Sequence, residues 1–210
     1  MANLQEASTQ WRNRPDDQRF ETLLDLYNSV ESRRRDSWTF ARPIERIGVT
    51  ENMEVELYNA NTGLEVRCTP TNKAFQQLCH YAQVPYGYAK DIDPKLTQIN
   101  LQWGLDFRPK SPEGLFLGET SMDQDSPNLR AITSTSYGRI WDSDVVQSVM
   151  QVNQADRWQV PSASYTITNP KRATTLYASD RDVFIFLVDP HNPVHVEGET
   201  LFRGFMVWNS

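Results

Sequence analysis

Within NLRAITSTSYGRIWDSDVVQSVM (128–150), two arginines, a serine and a tyrosine crowd together: Arg130, Ser134, Tyr137 and Arg139. Guanidinium groups suit phosphate oxygens. An exposed aromatic ring offers a stacking face to any base of a single strand. A hydroxyl adds one adaptable hydrogen bond. The turn around Tyr137 is polar on both sides, which favours exposure of its ring. Lys171 and Arg172 supply two further cations downstream. Charge supports a local face: residues 128–172 hold five basic and three acidic side chains, whereas 51–127 hold six and eleven. The competing reading is plain architecture, a strand, a turn and a capped helix.

Other chemistries have weaker footing. DPHNPVHVE places Asp189, His191, His195 and Glu197 close in sequence, and imidazoles with carboxylates are suitable ligands for a transition metal. His195 and Glu197 would share one strand face at period two. The spacing matches no established metal motif, and two prolines suit a connecting loop. The pairs Asp16-Asp17 and Asp123/Asp125 lie in polar stretches and read as solvated charge, since acid–base work needs a desolvated cleft. His80 falls on a helix-like run. There is no GxxxxGK[ST], GxGxxG or GxSxG phrase. Cys68 and Cys79 form no CxxC pair and read as small buried hydrophobes. The expectation is a non-enzymatic protein without a cofactor.

The elements that must position these residues follow from periodicity. Phe20, Leu23, Leu24, Leu26, Tyr27 and Val30 recur at helical spacing from Asp17 to Val30; the Arg33-Arg34-Arg35 that follow could contact phosphate or, the favoured reading, complement the negative end of that helix. WTFARPIERIGVT reads as irregular, with Pro43 as a breaker. MEVELYNANTGLEVRCT (53–69) alternates apolar and polar residues on either side of Asn61-Thr62-Gly63, a hairpin. Thr71 or Asn72 caps a helix over KAFQQLCHYAQV, and Pro85 and Pro94 open two more. Residues 104–114 read as loop and 115–119 as a short strand. Strand 129–133 leads through the turn to a helix from about Ser143 to Val152, capped by Asp142 or Ser143. TTLYASD and RDVFIFLVDP form a hairpin around Asp180-Arg181, HNPVHVEGE a long connection, and LFRGFMVWNS a final strand. Strands and helices come in blocks, which predicts an α+β fold with a mainly antiparallel sheet, hairpins and packed helices.

The chain has 210 residues, 39% hydrophobic and 23% charged, which suits folding rather than disorder. We expect a flexible polar arm over 1–16 and a single α+β domain over 17–210. The apolar ending without a tail predicts a domain truncated at Ser210. No run approaches the roughly 20 apolar residues of a membrane helix, and no signal peptide opens the chain. The expectation is a cytoplasmic protein with no membrane partner. A net charge of −6 disfavours generic nucleic-acid binding but leaves a local patch open.

These phrases resemble a known family, the phage/plasmid-like proteins of the domain-of-unknown-function family nine-three-two. There a strand reading R-A-hydrophobic runs through S-x-x-Y-x-x-hydrophobic into a D-x-x-hydrophobic helix. Arg130, Ala131, Ser134, Tyr137, Ile140 and Asp142 sit on that pattern. A later G-hydrophobic-hydrophobic-hydrophobic-x-N-S phrase matches Gly204 to Ser210, and TPTNKAFQQLCHYAQVPYGYAKDI is similar to the family's upstream helix segment. The resemblance spans roughly 50–210. It departs at the end, because family members continue past the N-S pair. It implies a mobile-element setting in a bacterial host cell and no transferable activity. By analogy, the fold would be similar to phage single-strand annealing proteins.

The resulting expectation is a homo-oligomeric protein that binds single-stranded DNA in recombination or replication. Arg130, Arg139, Lys171 and Arg172 would contact phosphate, Tyr137 would stack and Ser134 would add a hydrogen bond. The alternatives are a module that binds phage or host proteins through its acidic region and exposed aromatics, and a metal-dependent enzyme at 189–197.

Overall fold

A computed structural model describes residues 14–59, 64–120, 126–153, 156–161, 175–179 and 181–210. The fold is α+β, with mixed and antiparallel sheets of six and four strands. Where the sequence predicts one domain over 17–210, the backbone divides into two compact units: Arg35–Arg139, and Met1–Arg34 with Ile140–Ser210. Among the described residues no helix is long and apolar enough to cross a membrane.

The unit formed by Arg35–Arg139 carries the six-stranded sheet. Its strands are β2 (Ser37–Pro43), β3 (Ile47–Val49), β4 (Val55–Asn59), β5 (Leu64–Pro70), β6 (Glu113–Glu119) and β7 (Asn128–Thr133). They lie in the order β2-β6-β7-β5-β4-β3. All neighbours are antiparallel except β5 and β7, which pair in parallel at Thr69/Asn128 and Pro70/Leu129. The predicted hairpin is present, with Val55 opposite Cys68 and Leu57 opposite Val66. Its turn lies outside the described residues. The stretch expected to be irregular is instead β2, a 3-10 turn (Ile44–Arg46) and β3. β2 is an edge strand with Pro43 at its end, a place where a missing N–H costs no ladder bond. Trp38 and Phe40 share one face of β2 and stack with centroids 4.9 Å apart. Gly118 lies opposite Trp38, and a Cβ there would overlap the indole.

Three helices cover this sheet: α2 (Asn72–Tyr81), α3 (Tyr86–Asp91) and α4 (Pro94–Phe107). Thr71 caps α2 as predicted, its Oγ1 accepting from the Ala74 amide at 3.3 Å. Pro85 is the cap residue of α3, and Pro94 is the first residue of α4. The Asp93 carboxylate accepts from the Lys95 amide at 2.9 Å. α4 runs to Phe107, so the expected loop at 104–114 shrinks to 108–112. The core joins Val55, Leu57 and Cys68 of the hairpin to Leu78 and Cys79 of α2, Leu101 and Leu105 of α4, and Phe116, Leu129 and Ile132. Burial pushes the Cys68 thiol up to about 12 and the Cys79 thiol up to about 11.

In the other unit, a four-stranded antiparallel sheet runs in the order β1-β8-β9-β10. These are β1 (Arg19–Phe20), β8 (Leu176–Ala178), β9 (Val183–Val196) and β10 (Glu199–Asn209), with helices α1 (Leu23–Arg35) and α5 (Asp142–Val152). α1 starts later than predicted, because Phe20 pairs with Leu176 in a strand. Leu26 and Val30 of α1, Val146 and Val149 of α5, and Leu176, Ile185 and Leu187 form the core. Leu24 is exposed instead. The arg triplet ends α1 rather than following it. Arg33 donates to the Ser179 carbonyl, and Arg34 pairs with Asp144 at 2.6 Å and lies over Trp141. The arm over 1–16 is described only from Arg14, whose guanidinium forks onto Asp182 at 2.8 and 2.7 Å.

The long connection expected at 191–199 is not a loop. β9 continues to Val196, turns at Glu197 and Gly198, and returns as β10. Both turn residues have positive φ, 50° and 86°, the pattern of the two-residue hairpin turn that matches strand twist. The register shifts between Leu201 and Arg203, opposite the stretch containing Pro190 and Pro193.

Candidate nucleic-acid interface

β7 is pinned twice by α2 and its cap before it delivers the turn. Thr71 Oγ1 donates to the Arg130 carbonyl at 3.2 Å, and the Ile132 amide donates to Gln77 Oε1 at 2.8 Å. The chain then leaves the sheet at Ser134. The Tyr137 amide closes a turn onto the Ser134 carbonyl at 3.0 Å, and the Ser134 and Ser136 hydroxyls lie 3.1 Å apart. Tyr137 is 47% exposed. The Arg139 guanidinium carbon stands 5.9 Å from its ring centroid, a cation–π arrangement. A Cβ on Gly138 would meet nothing within 4 Å, so the turn has free space at that residue.

Of the six residues expected to act together, the four that are described do not form one cluster. Tyr137 and Arg139 meet, with Ser134 at the base of the same turn. Arg130 does not join them. Its Nη1 pairs with Glu119 Oε2 at 3.1 Å across β6 and β7, with side chains 12% and 25% exposed. Lys171 and Arg172 lie outside the described residues. A carboxylate on the neighbouring strand thus takes the charge that the sequence offered to phosphate.

The helix cap also differs. Trp141, not Asp142 or Ser143, occupies the cap position of α5 and makes no side-chain cap bond. Asp142 instead accepts from Asn209 Nδ2 at 2.7 Å, and the same amide reaches the Ile140 carbonyl at 3.3 Å. Asn209 belongs to the final G-to-N-S phrase, and Ile140 and Asp142 to the phrase after Tyr137. The hydrogen bonds joining these two phrases give Asp142 and Asn209 a structural role.

The four metal candidates do not converge on one point. Asp189 is buried, and it accepts from Asn192 Nδ2 at 2.9 Å, Arg157 Nε at 2.9 Å and the His191 amide at 3.0 Å. The Asn192 bond, with help from Arg157 and the His191 amide, outweighs burial and holds this carboxyl below the usual range. His195 Nδ1 faces Thr200 Oγ1 at 3.2 Å across the ladder. Glu197 sits in the turn, not on a strand face beside His195. Among the described residues no group of three or more His, Cys, Asp or Glu is placed to hold a metal. His80 is exposed, edge-on to Tyr81. Asp16 and Asp17 are exposed in a 3-10 turn, and Asp123 and Asp125 lie outside the described residues.

Sequence reasoning missed a second aromatic–arginine pair. Trp103 on α4 is 52% exposed, and the Arg108 guanidinium carbon lies 6.0 Å from its ring centroid. The signal was present in Tyr86-Gly87-Tyr88, but its two tyrosines part. Tyr86 packs edge-on against Phe75, whereas Tyr88 is 51% exposed and lines a hollow with Trp103 and Arg108. No protein-family model, no curated protein and no solved structure matches this chain.

Proposed function

We propose that the protein binds single-stranded nucleic acid without transforming it, in the recombination or replication of phage or plasmid DNA. The observation that carries this reading is the open turn in which Arg139 stands over the exposed ring of Tyr137. A ring in water with a guanidinium beside it combines a base-stacking face with a phosphate contact. The overall charge of −6 confines such contact to local faces. The mobile-element setting draws on the sequence resemblance alone. The test is anisotropy of a labelled oligonucleotide across a salt series. Binding should weaken with a log–log slope of about −0.7 for each phosphate neutralised. No association even at low salt removes the reading.

A protein-interaction module is the second reading, favoured by the β9–β10 ribbon. Val194, Val196, Leu201 and Phe202 are exposed there, and β10 is an edge strand. Edges of this kind pair readily with another chain. Light scattering would show a homo-oligomer that Leu201→Ser with Phe202→Ser dissociates. A monomer at all concentrations, with no partner captured, counts against it.

A further inference from the structure

We infer that the hollow beside α4 is a pocket for one unpaired nucleobase, a subsite that rests on the single-strand reading above. The hollow measures about 250 Å³ and is lined by Gln83, Pro85, Tyr88, Asn100, Trp103 and Arg108, among others. That is smaller than the roughly 300–1,000 Å³ of sites for drug-sized ligands, so one ring system suits it better than an extended molecule. Its walls supply what a base needs. Tyr88 and Trp103 are half-exposed aromatic rings, the kind of group on which bases stack, with the Phe107 ring centroid 5.9 Å from that of Trp103. Asn100 carries a carboxamide, which presents a donor and an acceptor together and so matches a base edge, and Gln83 adds its Oε1 as an acceptor. Arg108, held over Trp103, puts a cation beside the stack, where the sugar–phosphate chain of a bound strand must pass.

The backbone is arranged around this hollow at a cost. Just past the end of α2, Gln83 lies in the left-handed region, φ 56°, where glycine or asparagine is usual. Its amide bonds to the His80 carbonyl at 3.2 Å. A side chain with a Cβ is strained there. The glutamine makes use of the position by donating Nε2 to the Arg108 carbonyl, which closes one side of the hollow. Opposite, Gly104 lets α4 approach the end of α2, since a Cβ there would overlap the Ala82 carbonyl oxygen. The Lys110 amide bonds to the Tyr81 carbonyl at 2.8 Å and secures the segment after Arg108. The Gln83–Arg108 bond accounts for a side chain at a strained position and fixes one wall of the hollow. A purely apolar protein contact would not call for two carboxamides and a stacked arginine.

The experiment is anisotropy at low salt with a labelled single-stranded oligonucleotide, for wild type, Trp103→Ala, Trp103→Phe, Gln83→Gly and Tyr137→Ala. A second arm maps photocrosslinks from an oligonucleotide carrying 5-iodouracil. Trp103→Ala should weaken binding about 5- to 150-fold, the range of one base–aromatic stack, and Trp103→Phe should restore most of it. Gln83→Gly relieves the backbone and should keep or raise Tm while weakening binding. Crosslinks should fall on Trp103 or Tyr88. If Trp103→Ala and Gln83→Gly bind within twofold of wild type while Tyr137→Ala is weakened, or if crosslinks fall only on Tyr137, the pocket is wrong and the single-strand reading stands. If wild type does not bind, both fall. If Trp103→Ala spares the oligonucleotide but dissociates a protein complex, the hollow is a protein contact and the inference is overturned.

Discussion

Arg130 and Arg139 look alike in sequence and should respond oppositely to truncation. Arg130 is 3.1 Å from Glu119, with side chains 12% and 25% exposed. At an effective dielectric of about 20, opposite unit charges 4 Å apart gain roughly 4 kcal/mol, before desolvation and side-chain ordering take their share. Exposed pairs are worth about 0–1 kcal/mol, and removing one partner of a buried pair costs about 3–5 kcal/mol. This pair lies between, so Arg130→Ala should cost about 2 kcal/mol. For a chain of this length that lowers Tm by about 4–8 °C. Arg139→Ala removes the cation–π contact with Tyr137, worth about 0.5–1 kcal/mol at an exposed site or about 1–4 °C in Tm, and should weaken oligonucleotide binding. Thermal melts followed by circular dichroism, with Glu119→Gln closing a double-mutant cycle, read the first arm. Anisotropy reads the second. A coupling energy near zero between Arg130 and Glu119, with Arg130→Ala costing binding rather than stability, would refute the assignment and return Arg130 to the phosphate contact.

Two further outcomes follow from the cores of the two units. The Cys68 and Cys79 thiols are buried and raised to about 12 and about 11, so native protein near neutral pH should resist iodoacetamide and react only in denaturant; rapid labelling of the native chain by mass spectrometry would contradict this packing. Burial pushes Asp182 up, but the Arg14 fork, with Ser179 and Trp208, outweighs it and holds the carboxyl below the usual range. The stability it contributes is complete above the unfolded value of about 3.9 and is lost as pH falls through the folded value. The Tm gap between wild type and Asp182→Asn should therefore narrow from pH 7 to about pH 3, and a gap that does not change with pH rules it out.

Local signals were legible where one face of an element was wet and the other dry. The β4–β5 hairpin and the Thr71 cap follow from alternation and from a hydroxyl placed before an apolar period. β2 was obscured because Pro43 reads as a breaker until the strand is known to be an edge. The 183–209 ribbon was obscured because Pro190 and Pro193 mark a loop, whereas the structure accommodates them at a register shift. At the site, the exposure of Tyr137 could be read from its polar turn. The fate of Arg130 could not, since Glu119 becomes its neighbour only once β6 and β7 are in register. Nor could Trp103: Leu96, Ile99, Trp103 and Phe107 have helical spacing, but the buried side of α4 is the one bearing Thr97, Leu101 and Leu105.

The division of the chain bears on its synthesis. Arg35–Arg139 is one uninterrupted segment, while the other unit is assembled from Met1–Arg34 and Ile140–Ser210. The inserted segment can complete its core as soon as it has emerged. α1 cannot, because Leu26 and Val30 pack against residues of α5, β8 and β9, and β1 needs β8. At about 5–20 residues per second, Val30 waits roughly 8–30 s for Val183. An isolated helix of this length is marginal in water. The nascent chain therefore carries α1 unpartnered while residues 35–183 are made, and in that interval a chaperone or protease can engage it.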